Sequence, residues 1–134
     1  MKWYAAHIVL YVQFKAGRQK EFPVWENIVL LRARSEEDAW RKAEERGRED
    51  EGDDDGSFRW AGHPAIWVFA GIRKLTSCDD PTTRPGDGSE ITYLEMRLKS
   101  RDEIADFVSN RPAAVHFAEN FGEQENPTEK RKPA

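Results

Sequence analysis

Residues 21–47, EFPVWENIVLLRARSEEDAWRKAEERG, constrain the fold more tightly than any other run in the chain. Pro23 has no amide hydrogen to give a ladder, which puts it at the beginning or the edge of a strand. The Val, Ile and Leu that follow it extend that strand to about Arg34. Ser35 then stands where an N-cap belongs, with Asp38 three residues on, as in a capping box. Glu36, Glu37 and Asp38 complement the positive end of a helix dipole. Ala39, Trp40 and Ala43 give an apolar stripe, and Gly47 is placed to close the helix as its C-terminal cap. A strand passing straight into a one-sided helix requires a sheet face for that helix to cover.

Residues 3–14 supply such a face. Their even positions, Tyr4, Ala6, Ile8, Leu10, Val12 and Phe14, are uniformly apolar, and the odd positions are mixed. A period of two with one uniform side predicts a strand whose even face lies under helices. Residues 65–76, AIWVFAGIRKLT, are continuously apolar enough for a central strand. Residues 48–64 and 77–89 are polar loops. Residues 90–99 alternate again, and Ser100 with Glu103 caps a short helix that uses Ile104, Phe107 and Val108. Asn110 and Pro112 end that helix, and residues 113–118 form a last short strand.

The predicted order is ββαββαβ: an α+β fold with a mostly antiparallel sheet and two helices on one face. A single domain covers residues 1–121, and the polar, charged run over 122–134 is a disordered tail. Five Trp, seven Phe and three Tyr among 134 residues supply the bulk for a core.

Composition narrows the function classes. The net charge is −4 with no basic cluster outside the last residues, so nucleic-acid binding is not expected. No apolar run approaches the length of a membrane span, and no signal-peptide pattern opens the chain; a cytoplasmic location is the expectation. The acidic loop matches a calcium-binding loop at Glu51, Asp53, Asp55 and Gly56, but Gly62 falls where the closing glutamate is required. His7, His63 and His116 lie on separate elements, and Cys78 is a lone cysteine beside Asp79 and Asp80. Neither a metal site nor a cysteine nucleophile follows from those patterns. No cofactor-binding or catalytic motif is present, so no cofactor is expected.

Two groups of residues stand out as candidate binding positions. Trp3, His7 and Tyr11 occupy the face of the first strand away from the helices, where Trp25 of the next strand would join them in an aromatic patch. Glu26 falls in line with Val24, Ile28 and Leu30, and a carboxylate on an apolar face needs a partner or a sheet edge. Arg73 or Lys74 of the third strand could supply that partner.

Trp3-Tyr4, PVWENIVLLRA, SEEDAWRKAEERG and WVFAGIRKL together resemble an uncharacterised family of small bacterial proteins, the domain of unknown function 4288, over about residues 2–98. The resemblance implies a bacterial source and a small α+β domain, and brings no catalytic residues with it. The leading expectation is a non-enzymatic domain that binds another protein or a second copy of itself, an immunity- or antitoxin-like role being one form of it. The alternative is a small-ligand-binding protein or enzyme with a pocket formed by Glu26, His7, Trp25 and Arg73.

Overall fold

The structure is a computed structural model and describes residues 1–117. The alternating run becomes strand β1 (Lys2–Phe14), and the strand after Pro23 becomes β2 (Val24–Ala33). They pair antiparallel from Lys2↔Ala33 to Tyr11↔Val24. Helix α1 (Glu36–Glu49) starts where the sequence places it: the Ser35 hydroxyl accepts the Asp38 amide at 3.1 Å. The Asp38 carboxylate accepts the amide of Arg34 rather than that of Ser35, so the box closes one residue early.

The helix does not end at Gly47. It continues to Glu49, and Asp50 is its C-cap in right-handed backbone. Gly47 instead allows close approach: a Cβ there would lie 2.4 Å from the Phe69 ring. Its hydrogen side chain lets the last turn of α1 sit against the sheet.

Short strand β3 (Arg59–Trp60) and long strand β4 (His63–Ser77) form a hairpin inside and beyond the expected loop. Ala61 and Gly62 make its turn with φ of 52° and 82°, the positive pair that a two-residue hairpin needs. Alanine is uncommon there, and that hid the turn from sequence. The four strands form one antiparallel sheet in the order β2-β1-β4-β3.

Strand β4 carries two irregularities. His7 faces Lys74 while Ile8 faces Ile72, and Val9 faces Gly71 while Leu10 faces Phe69. Arg73 and Ala70 are therefore the extra residues of two bulges, which re-aim side chains and sharpen local twist. Gly71 sits between them at φ 148°, a backbone state that L side chains rarely adopt.

Helix α1 packs on β1, β2 and β4. Ala6, Ile8 and Leu10 meet Ala43, with Val29, Leu31, Phe69 and Ile72 around them. Tyr4, Ala33 and Ala39 continue the core toward the start of the helix. The uniform even face of β1 is thus the helix-covered face. The opposite face is not fully open, because Ala5 and His7 are also buried.

The described residues divide into two compact units, one ending at Thr92 and the other beginning at Tyr93. In the second, α2 (Arg101–Val108) is capped as expected: Ser100 accepts the Glu103 amide, and Glu103 accepts the Lys99 amide. Asn110, at φ 64°, ends it. Its Ile104, Phe107 and Val108 are exposed, so the apolar stripe read from sequence is not buried. The strand expected over 90–99 contracts to β5 (Met96–Arg97), paired with β6 (His116–Phe117). The fold is α+β, with β3 an addition to the expected order. The tail expected over 122–134 lies outside the described residues.

Candidate functional site

The pairing of β1 with β2 decides where each candidate residue points. Leu10 faces Trp25, Val9 faces Glu26 and His7 faces Ile28. Residues directly opposite share a face. Glu26 therefore lies on the side away from α1, with Val24, Ile28 and Leu30, while Trp25 and Asn27 lie on the helix side. The expected patch of Trp3, His7, Tyr11 and Trp25 is divided between the two faces of the sheet. An even residue of β1 meets an odd residue of β2 in this register, and a one-residue slip would reverse every assignment.

On the far face, His7, Glu26 and Arg73 come together. The His7 ring, at 0% exposure, places Nδ1 2.6 Å from Glu26 Oε2 and Nε2 2.8 Å from the Thr92 hydroxyl. Arg73 brings Nε and Nη2 to the same carboxylate oxygen at 2.9 and 2.8 Å. The bulge at Arg73 aims its guanidinium across β1 to reach β2. An ionised carboxylate only accepts, so Nδ1 carries the hydrogen in the His7–Glu26 bond. The Thr92 hydroxyl then donates to Nε2 of a neutral ring or accepts from an imidazolium.

Burial pushes the Glu26 carboxyl up, but hydrogen bonds from Arg73 and His7 and the nearby positive charge outweigh it and hold the group below its ordinary value. A general base works best with a pKa near the operating pH. Glu26 is shifted the other way, and one of its oxygens already takes three donors. Both His7 nitrogens are likewise engaged. The cluster ties β1, β2, β4 and the segment at Thr92 together.

Trp3 and Tyr11 share this face but partner elsewhere. The Arg32 guanidinium lies over the Trp3 ring at 6.0 Å, and Tyr11 meets Phe22 edge to face at 5.8 Å. Cys78 is buried, and burial pushes its thiol up; desolvation rather than its two aspartate neighbours is the cause.

On the helix side, Trp25 joins an aromatic group that the sequence reading did not assemble. It meets Trp67 at 5.0 Å and Trp60 at 5.5 Å, both nearly perpendicular, while Phe58 stacks on Trp67 at 5.4 Å. Beside it opens a cavity of about 340 Å³ lined by Leu10, Trp25, Asn27, Asp50, Asp54 and Trp67. Parity along β2 separates Trp25 from Glu26, which are adjacent and must face opposite ways, but only the register with β1 puts Trp25 on the helix side.

These features define a small α+β domain: a four-stranded antiparallel sheet, one helix across a face and a part-buried His–Glu–Arg cluster on the other. The chain belongs to the family described as a domain of unknown function, DUF4288, whose model matches residues 3–93. No curated protein and no solved structure matches it.

Proposed function

We propose that this domain acts without catalysis, by binding a protein surface through the far face of β2, in the cytoplasm of a bacterium, the source that the family resemblance implies. The observation that carries the reading is the exposure of Val24, Ile28 and Leu30, at 58%, 43% and 39%. They form a row on a strand that ends the four-stranded sheet. Fully burying one such side chain contributes about 1.5–3 kcal/mol, so covering this half-exposed row would contribute roughly 2–4 kcal/mol. Edge strands are usually short, charged or covered, and a ten-residue one with three exposed aliphatic side chains on one face suits an attachment surface.

The cluster beneath it supports the same reading. Glu26 sits within the row, but its charge is paired with Arg73 and the same oxygen is hydrogen-bonded by His7, so it is not offered to a partner. An acidic chain of net charge −4 suits a partner with basic residues around an apolar centre. A second copy of this chain is the simplest partner to test. Sedimentation velocity over a concentration series should show reversible association that Ile28→Glu abolishes. A single concentration-independent species for the native chain would remove self-association and leave a different protein as the partner.

A further inference from the structure

We propose that the cavity lined by Trp25, Trp67, Asp50 and Asp54 binds an arginine side chain presented by another protein. The cleft lies on the helix side of the sheet, so the proposal stands apart from the far-face surface described above. Its walls are two indole rings at 84° to each other with centroids 5.0 Å apart, which form a corner. Trp60 meets Trp25 edge to face and Phe58 stacks on Trp67, so neighbouring rings hold both walls before any ligand arrives. Leu10, almost fully buried, is part of the lining.

The polar part of the lining is Asn27 and two aspartates, Asp50 and Asp54. Asp50 caps the C-terminal end of α1, where the helix dipole is negative and favours a cation. Among the described residues its carboxylate has one ion pair, a 3.4 Å contact with Arg46 between exposed groups, which holds it weakly. Asp54 stands in the following turn at φ 56°, and its carboxylate has no hydrogen bond or ion pair among the described residues. Glu49, Glu51 and Asp55 lie near the two in sequence and extend the negative field, whereas Asp53 is paired with Lys15.

An anion would meet two carboxylates and the wrong end of a helix. A neutral apolar ligand would desolvate those carboxylates without compensation. A cation satisfies the acids and suits the aromatic lining of the cavity. Arginine fits better than lysine, because its planar group can stack on one ring while its fork meets a carboxylate. The volume is at the low end for ligand pockets, a size for one side chain rather than a nucleotide.

The probe is an acetylated, amidated glycine–arginine–glycine tripeptide, followed through the indole N–H signals by NMR. The expected result is a saturable shift of the Trp25 and Trp67 signals, with an affinity of roughly 1 mM, as suits a single anchor. The citrulline tripeptide, a neutral near-isostere, should produce no saturable shift. Trp25→Ala should weaken binding about tenfold. Asp54→Asn, at an exposed turn that tolerates the change, should weaken it about threefold, and added salt should do the same. If Trp25→Ala unfolds the domain, Asp54→Asn and the salt series decide. Equal binding of citrulline, an unchanged affinity in Asp54→Asn, or tighter binding of the lysine or a tetramethylammonium probe would overturn the assignment.

Discussion

Replacing Glu26 with alanine tests the far-face cluster as a structural fastening. The substitution leaves the Nδ1 hydrogen of His7 without an acceptor in a ring that is 0% exposed. A buried donor left unsatisfied costs about 1–3 kcal/mol. The Arg73–Glu26 pair is about a quarter exposed on each side, so water replaces much of its loss, and it adds only about 0.2–1 kcal/mol. The expected destabilisation is roughly 2–3 kcal/mol, or a fall in Tm of about 6–12 °C for a chain of this size. Urea unfolding followed by tryptophan fluorescence would measure it, with Glu45→Ala as the exposed control expected to cost less than about 0.5 kcal/mol. The folded-state pKa of Glu26 is lowered, so its contribution is complete above the unfolded carboxyl value of about 4.3 and disappears as pH falls through the folded value. The gap between native and Glu26→Ala proteins should therefore be widest near neutral pH and close in acid. A gap under about 0.5 kcal/mol at neutral pH, or one that widens in acid, would refute the reasoning.

Gly47→Ala gains about 1 kcal/mol of helix propensity yet drives a methyl into the Phe69 ring, an overpacking cost of about 1–3 kcal/mol. Net destabilisation in the same urea assay is expected, and a stabilised variant would mean that α1 sits farther from β4 than described. Gly71→Ala should lose about 1 kcal/mol or more, because alanine resists a φ of 148° at the bulge. Thiol labelling of Cys78 should be slow in the folded chain and fast in urea, since burial both hides the sulfur and disfavours its thiolate. Equal rates in the two states would contradict its burial.

The elements with strong local signals were legible in the sequence. Ser35 and Ser100 announce both helices because a hydroxyl cap is decided within four residues. The even face of β1 announces the core because its alternation is unbroken over twelve residues. Arg73 could be named as a partner for Glu26, whereas the bulge that aims it could not, because bulges leave no fixed residue pattern. The side on which Trp25 falls was lost for a related reason. It depends on register across the Phe14–Val24 connection, a property of two strands together that neither shows alone. Gly47 was misread because close packing and helix capping both select glycine, and only the position of Phe69 separates them.

The central claim is that the row Val24, Ile28 and Leu30 binds a protein. Its most direct test is quantitative affinity capture from the source cell with three baits: native chain, Ile28→Glu and Glu45→Ala. A protein, a second copy of this chain included, should be retained at native levels by Glu45→Ala and lost from Ile28→Glu, with both variants folded by circular dichroism. Identical captures by all three baits would contradict it.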